Sequence, residues 1–454
     1  METRRRRGDG GGGGLSMILD PRGIPVTASD AASAARLEHA IIGYGGFRAD
    51  TGERLKAALA DPGLVMAPVL RGYFMLLLTK RELVSRAEQA ANVAEAAMTQ
   101  AGATPRERLH LQALRAWIGR DCRAAAAILK RILAEYPHDL VALKLAQYLL
   151  FYQGDWRDMR DTVATAIASW DAAAPGYGYA LGCHAFGLEE CGDYAEAERL
   201  GRRAVALASD DIWGAHAVAH CCEMQDRSED GLAWLDEAAV GWRDANNFAF
   251  HVHWHRCLFL LELGRFDEVL ARYDREVRAE STDEYLDITN AVALLWRLEQ
   301  LGVAVGRRWD ELAARAAARI DDHMLAFGDA HYAVALAAAG HADDYAWWRR
   351  SSAAYAQAGE TQSAVTAEVG LALGDAALAH RRGEYGRAVD LLWPVRASVR
   401  RIGGSHAQRD FFAKLLIDSA VQAKRIEVAR TLLGERLAAR PNNRWGQAMA
   451  ARAG

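Results

Sequence analysis

One short phrase recurs along the chain and constrains its fold more than any other feature. A stretch with helical apolar periodicity ends at a glycine, and an aromatic residue follows two positions later. The phrase occurs at Gly154-Asp-Trp156, Gly192-Asp-Tyr194, Gly264-Arg-Phe266 and Gly383-Glu-Tyr385. The first two glycines are 38 residues apart, and the second and third are 72 apart, or two units of 36. This spacing predicts helical hairpins in which glycine supplies the left-handed turn and the aromatic residue packs the second helix against the first.

The rest of the sequence favours helices too. Alanine is abundant, prolines number nine, and no sustained period-two alternation of β-branched residues indicates a sheet. We therefore predict an all-α, tetratricopeptide-like helical-repeat solenoid, a superhelix of antiparallel helix pairs whose units run longer than the ideal of about 34 residues. The clearest helices are predicted over Thr104–Arg120, His138–Tyr152, Tyr177–Cys191, Ile212–Gln225, Phe248–Leu263 and Glu284–Leu301.

The repeat pattern also sets the expected domain organisation. Residues 17–454 are predicted to form a single solenoid domain whose degenerate repeats are clearest at 105–280. Residues 1–16, where four arginines precede a run of glycines, are predicted to be a disordered leader. It lacks the apolar core of a signal peptide. The longest apolar run, Tyr73–Thr79, is too short to cross a bilayer, so we expect a cytoplasmic protein without a membrane partner.

Charge and cysteine content narrow the function classes further. The net charge of −4 provides no basic footprint, so no nucleic-acid partner is expected. The six cysteines form no C-x-x-C pair and fall within helical patterns, which predicts reduced and mostly buried thiols.

Histidines cluster in the middle of the predicted array. His216, His220 and Glu223 stand at i, i+4 and i+7, which places them on one stripe of a helix. His251 and His255 repeat the i, i+4 spacing on the next first-of-pair helix. Because these helices line the concave side of such a superhelix, we expect the imidazoles to lie side by side on an interior wall.

Two further spacings extend this expectation. His184, His220 and His255 are separated by 36 and 35 residues, which predicts equivalent positions on three successive inner helices. His331 stands nine residues before Gly340, as His255 stands nine before Gly264, so a later helix is expected to repeat the arrangement.

Three kinds of chemistry fit this histidine pattern. Imidazoles at i, i+4 with a carboxylate suit zinc or a similar ion, although whether a metal or any cofactor is bound stays open. Histidine also titrates near neutral pH and suits acid–base catalysis. Interhelical histidines can instead only satisfy buried polar groups. The helix is not a zincin motif, because Ala217 stands where the general base glutamate would be, and no phosphate-binding loop occurs.

Other polar residues are candidate ligand-binding groups. Asp329 and His331 bring acid and imidazole to the start of one predicted helix. The run Gln408-Arg409-Asp410 opens another helix, for which Ser405 is the expected N-cap. Arg409 could bind a carboxylate ligand bidentately, or an Arg–Asp pair could tie the C-terminal helices together.

Trp254 lies between His253 and His255 and is a candidate pocket wall. His253 points away from the histidine stripe and is expected to have a packing role.

In combination these residues resemble a known family. The segments that carry the resemblance are Arg106-Glu-Arg-Leu-His110, His184-Ala-Phe-Gly-Leu-Glu-Glu190, His216-Ala-Val-Ala-His220 with Glu223-Met224, Trp254-His255, Gly306-Arg-Arg-Trp309, residues 327–331 and Gly403-Gly-Ser-His-Ala-Gln-Arg-Asp410. Over roughly residues 20 to 440 they look like the tetratricopeptide repeat protein 38 family.

The resemblance implies a long helical-repeat protein, found in bacteria and animals, without an established general activity to transfer. It also supports a set of recurrent polar positions: His216, His220, Glu223, His251, His255, Asp329, His331, Gln408, Arg409 and Asp410. His184, His253, His406 and the leader depart from its pattern, so the resemblance offers them no support.

Two functions from different classes follow. The first is an internal pocket for a small ligand, with hydrolytic or acid–base chemistry in which His220 or His255 is the base and Arg409 the anion anchor. It requires the histidine helices and the Gln408–Asp410 helix to face a common enclosed cavity. The alternative is a non-enzymatic scaffold that binds a peptide or protein in an open concave groove. Peptide-clamping grooves usually present Lys, Arg and Asn, whereas these helices present His, Glu and Trp.

Overall fold

The computed structural model describes residues 16–453, so the predicted leader lies outside the described residues except for Ser16. A short antiparallel hairpin of β1 (Ser16–Leu19) and β2 (Pro25–Ala28) comes first. The helices of the first half are α1 (Ala31–Gly45), α2 (Thr51–Ala58), α3 (Met66–Leu77), α4 (Val84–Ala101), α5 (Pro105–Ile118), α6 (Cys122–Glu135), α7 (Leu140–Tyr152), α8 (Trp156–Ile167), α9 (Tyr177–Glu190), α10 (Tyr194–Leu207), α11 (Ile212–Met224) and α12 (Ser228–Ala238).

The second half continues in the same way. Its helices are α13 (Phe248–Glu262), α14 (Phe266–Arg272), α15 (Tyr285–Gln300), α16 (Arg308–Ala317), α17 (Ala326–Ala339), α18 (Ala342–Tyr355), α19 (Thr361–Val365), α20 (Leu371–Arg381), α21 (Tyr385–Leu392), α22 (His406–Gln422), α23 (Ile426–Ala439) and α24 (Arg444–Ala453). A π-helical segment at Tyr273–Val277 extends α14, and another at Thr366–Gly370 joins α19 to α20. Short 3-10 turns lie at Arg81–Leu83 and Val399–Ile402.

The predicted fold class is confirmed. The six predicted helices correspond to α5, α7, α9, α11, α13 and α15, with ends that agree within two residues. The short N-terminal hairpin left no signal in the sequence, because strands of four residues are too short to show a sustained alternation. Among the described residues, no helix combines the length and the apolar character needed to cross a bilayer. The cysteines are free, and all but the half-buried Cys191 are buried.

Left-handed turns close the first helix of each pair. The four glycines of the recurring phrase, Gly154, Gly192, Gly264 and Gly383, have φ of +70°, +88°, +72° and +75°. Three equivalent turns use other residues, since Arg120, Asp226 and Lys424 have φ of +66°, +57° and +54°. Those three turns belong to the same repeat series but lack the glycine that marks it in the sequence.

The two helices of a pair differ in burial. Every residue of α11 from Ile212 to Glu223 is buried, and α13, α15 and α17 are also buried around most of their circumference. By contrast, the outer helix α10 buries Ala197, Leu200, Gly201 and Ala204, a stripe at i, i+3, i+4 and i+7. The first helices therefore form the interior layer, and the second helices cover it with one apolar face each.

The superhelix closes on itself. Helix α22, late in the chain, contacts α11 and α15, and Arg319 pairs with Glu82 at 2.7 Å across 237 residues of sequence. At the other end, Phe47 from the α1–α2 turn stacks on Phe248 at a ring distance of 4.6 Å, and Lys144 lies 4.2 Å over the Phe47 ring. The N-terminal helices thus fill the concave side that an open solenoid would leave to solvent.

Two glycine turns should respond differently to alanine. At Gly192 an added Cβ meets open space, so Gly192→Ala should cost about 1 kcal/mol for the left-handed backbone alone. At Gly154 an added Cβ would lie 2.0 Å from the Arg400 carbonyl oxygen, so Gly154→Ala should cost well over ~2 kcal/mol. Urea unfolding midpoints compare the two variants with the wild type. Equal midpoints for the two variants would contradict the close contact between the α7–α8 turn and residues 400–403.

Candidate functional site

Four imidazoles converge between α11 and α13. The Nε2 atom of His216 lies 2.9 Å from Nε2 of His220 and 2.9 Å from Nε2 of His251. The His255 ring centre is 4.4 Å from that of His220 and 4.9 Å from that of His216. One ring nitrogen from each of the four lies within 4.8 Å of the others, and none of the residues is more than 3% exposed. The predicted interior wall of histidines is present on these two helices.

Repeat spacing explains why these four rings meet. Counted back from the turn residue Asp226, His216 and His220 stand at ten and six residues. Counted back from Gly264, His251 and His255 stand at thirteen and nine. The two pairs differ by three residues, which is close to one helical turn and keeps them on the same stripe.

His184 does not share this wall, so the prediction of three equivalent histidines was wrong. His184 stands eight residues before its turn residue, Gly192, whereas His220 stands six residues before its turn residue, Asp226. Two residues correspond to about 200° of helix rotation, which turns the half-buried His184 away from the other rings. Phe186 takes the equivalent place and stacks on His216 at 5.5 Å.

A second layer of polar groups faces the outer nitrogens of the rings. The Nδ1 atom of His255 lies 3.1 Å from Glu223 Oε2, and that of His251 lies 3.2 Å from Asn290 Oδ1. The Nδ1 atom of His220 lies 3.5 Å from Oε2 of the fully buried Glu189, which is long for a hydrogen bond.

Glu189 and Asn290 did not emerge from the sequence pattern as members of this site. For Glu189 a signal existed: it stands with Glu190 in the last turn of an apolar helix, where the helix dipole disfavours acids. Asn290 carries no comparable signal, because a single amide on a buried helix is ordinary.

Burial and mutual contact set the charge of the cluster. Burial lowers the pKa of His216, His251 and His255 well below the usual histidine value, and neighbouring positive groups lower it further. Burial also acts to lower the pKa of His220, but nearby carboxylates, Glu189 foremost, outweigh it and raise that pKa. Three of the four rings are therefore neutral at neutral pH, the form that accepts a proton or binds a metal ion.

A pocket of about 360 Å³ lies against this cluster. His216 and His251 form part of its wall, and Gln408 of α22 faces the same space. Most of the remaining wall is apolar, with aromatic side chains from α3, α7, α9, α11, α13 and α15. Exposed Gly52 and Leu78 also border it, so the pocket opens to solvent at that end. His220 and His255, the predicted bases, lie behind His216 and His251 rather than on the pocket wall.

Trp254 and the two α17 residues lie outside the four-histidine cluster. Trp254 is fully buried and packs behind the rings, stacked on His251 at 5.4 Å. His331 contacts Phe411 and Phe412 on α22, and its Nδ1 lies 2.8 Å from the Phe327 carbonyl oxygen. The side chain of Asp329 pairs with His323 Nδ1 at 3.0 Å. The arrangement predicted to repeat around His331 is therefore a separate interhelical contact.

The Gln408-Arg409-Asp410 run is held mostly by protein contacts. Ser405 is the N-cap of α22, as predicted, and forms a capping box with Gln408. Arg409 donates to Glu190 Oε2 at 3.0 Å and to the Gly404 carbonyl oxygen, so its guanidinium ties α22 to α9. Asp410 pairs with Arg436 of α23. An Arg–Asp pair therefore does tie two C-terminal helices, α22 and α23, together, but its arginine is Arg436 and not Arg409.

Glu284 is a pocket residue that the sequence pattern did not single out. It is the N-cap of α15 and accepts from the backbone N–H groups of Leu286 at 2.8 Å and Asp287 at 3.2 Å. Burial, followed by the negative charge of Asp287, raises the pKa of Glu284 to about 8, although these two backbone hydrogen bonds and the charge of Lys80 act in the opposite direction. The pocket therefore contains a carboxyl group that holds its proton at neutral pH.

Comparison with known proteins adds little at the level of sequence. No family model matches the chain, so its resemblance to the tetratricopeptide repeat protein 38 family stays a prediction, as does a cytoplasmic location. Among solved structures, one similar chain belongs to the crystal structure of the APC/C hetero-tetramer Cut9-Hcn1. The two share 13% sequence identity with a TM-score of 0.43, over 86% of this chain and 63% of that chain.

The raised pKa of Glu284 predicts a pH effect on stability. The folded state keeps the proton to higher pH than the unfolded state does, so stability is full below the unfolded value and declines as pH rises towards about 8. Glu284→Gln, which can still cap α15, should remove up to about 1.4 kcal/mol of this decline per pH unit. Thermal melts from pH 5 to 9 measure it, with the exposed Glu53→Gln as the control. A decline of the same steepness in both variants would contradict the assignment.

Proposed function

We propose that this protein binds a small, largely apolar molecule in the central pocket, with the polar end of that molecule against His216 and His251. The observation that carries the proposal is that two convergent imidazoles and Gln408 of α22 border one pocket whose other walls are mostly apolar. Sites of this kind, apolar and concave with a few converging polar groups, are typical of small-molecule recognition.

The dimensions of the pocket fit a small ligand. Its volume of about 360 Å³ falls at the lower end of the range for ligand sites, roughly 300–1,000 Å³. The aromatic side chains of the wall pack on one another, with ring centres 4.8 Å apart for Trp213 and Phe186 and 5.3 Å apart for Trp213 and Phe248. A flat ring or a short acyl chain would bury its apolar surface against these faces.

The polar end of the pocket supports proton-transfer chemistry, of which hydrolysis is the first class to test. His216 and His251 stand on the pocket wall as neutral imidazoles, while Glu284 on the same wall can donate a proton. Arg409 is not needed as an anion anchor, because its guanidinium is already engaged by Glu190 and Gly404.

The scaffold alternative requires an open concave groove for a peptide. The inner surface is occupied instead by the chain itself, through Phe47 on Phe248 and an antiparallel bridge between Arg48 and Ala245. These contacts favour the pocket over peptide clamping on the concave side.

Filling the pocket should abolish ligand uptake. Met75→Trp adds an indole at the pocket wall, whereas Val93→Trp adds one at a position on α4 that is 59% exposed. Fluorescence titration with 8-anilinonaphthalene-1-sulfonate and with neutral Nile red should show saturable binding by the wild type and Val93→Trp, weakened about tenfold or more in Met75→Trp. Equal binding by the two variants, or no binding of either dye to the wild type, would contradict the proposal.

The reaction class has its own test with the same variants. p-Nitrophenyl acetate and butyrate are small enough for the pocket and release a coloured product on hydrolysis. Turnover by the wild type and Val93→Trp, with loss in Met75→Trp and in His251→Asn, is the expected result. Turnover that survives pocket filling would assign the activity to another surface and contradict hydrolysis at this site.

A further inference from the structure

When all four rings are neutral, the form in which imidazole binds a metal ion, the hydrogen-bond donors and acceptors of the four-histidine cluster do not match. A neutral imidazole carries one N–H and one lone pair. Glu189 and Glu223 face the Nδ1 atoms of His220 and His255, and because carboxylates only accept, the N–H of each ring belongs on Nδ1. The Nε2 atoms of these two rings are then bare lone pairs that point into the cluster.

The remaining rings cannot satisfy those lone pairs. Nε2 of His216 lies 2.9 Å from Nε2 of both His220 and His251, yet it carries at most one hydrogen and can donate to one of them. Nε2 of His255 is fully buried and has no hydrogen-bond partner among the described residues. Several unpaired hydrogen-bond acceptors close together in the protein interior are unfavourable unless a cation lies between them.

We propose that His216, His220, His251 and His255 hold one first-row transition-metal cation of the zinc class through their ring nitrogens. Imidazole nitrogen is a preferred ligand for zinc, copper, nickel and iron, and four such ligands suit a tetrahedral ion. In a tetrahedral site with bonds of about 2.0–2.1 Å, the ligand nitrogens lie roughly 3.3–3.4 Å apart. The separations in this cluster, from 2.9 Å to at most 4.8 Å, bracket that value.

The surroundings are those of a metal centre. Metal-bound histidines typically donate their outer N–H to a carboxylate or carbonyl oxygen, and Glu223 and Asn290 offer oxygens at 3.1 and 3.2 Å. Glu189 is fully buried, with Oε2 3.5 Å from His220 Nδ1, and neither of its carboxylate oxygens has a hydrogen-bond partner among the described residues. Two buried carboxyl groups, Glu189 and Glu223, lie beside the rings and offer negative charge to a divalent ion held by neutral imidazoles.

This inference goes beyond the proposed ligand pocket and does not depend on it. His216 and His251 border the pocket, so an ion held by the four rings would lie at its inner end and could polarise a bound carbonyl group. If the pocket binds nothing, the metal content is unaffected. Measuring the metal content of Met75→Trp, which should equal that of the wild type, separates the two ideas.

The experiment uses the full chain, purified without a histidine tag or chelator. Elemental analysis should find about one equivalent of a transition metal, and the double variant His220→Ala/His255→Ala should lose it. His184→Ala and His253→Ala are the matched controls, because these histidines lie on α9 and α13 but outside the cluster. Both controls should keep the metal.

Cobalt reconstitution guards against loss of metal during purification and against misfolding of the variants. Chelator-treated wild type that keeps its helical circular dichroism should give an intense visible spectrum of tetrahedral Co²⁺. His255→Cys should retain the ion and add a thiolate-to-cobalt charge-transfer band in the near ultraviolet. The proposal is overturned if the folded wild type contains no metal and binds no Co²⁺, or if the double alanine variant binds as much as the wild type.

Discussion

Nearly complete burial of the inner helices governs the rest of this structure. An inner helix such as α11 is enclosed by its own partner, by neighbouring pairs and by α22, so no side of it meets solvent. Any polar side chain on it must find a partner inside the protein or carry a large desolvation cost. The histidines, carboxylates and arginines of the interior therefore form linked networks, and their arrangement is much more specific than that of the outer helices.

Much of the fold could be predicted from sequence because it depends on local signals. Glycine with an aromatic residue two positions later marked four turns, and the predicted ends of the six clearest helices agreed with the observed ends within two residues. Arg120, Asp226 and Lys424 adopt the same left-handed turn without glycine, so the repeat boundaries that they form left no trace in the pattern. A non-glycine residue there bears a backbone cost that the stacked hairpins tolerate.

The site was only partly predictable, for a geometrical reason. Spacing of four residues within a helix fixes which rings share a face, so the two histidine pairs could be predicted. Rotation of one helix relative to the next depends on turn length, and a difference of two residues was enough to replace His184 with Phe186. Closure of the superhelix depends on contacts between distant segments, such as Phe47 with Phe248, for which no periodic signal exists.

Closure also changes how such a chain behaves as a whole. In an open repeat array each unit touches only its neighbours, so its ends can fray one repeat at a time. Here Arg120 bonds to Glu360 across 240 positions and Arg409 bonds to Glu190 across 219. Such long-range ties link early and late segments of the chain into one cooperative unit. The pocket, with walls drawn from Tyr44 to Gln408, thus comes into being only after α22 has been synthesised.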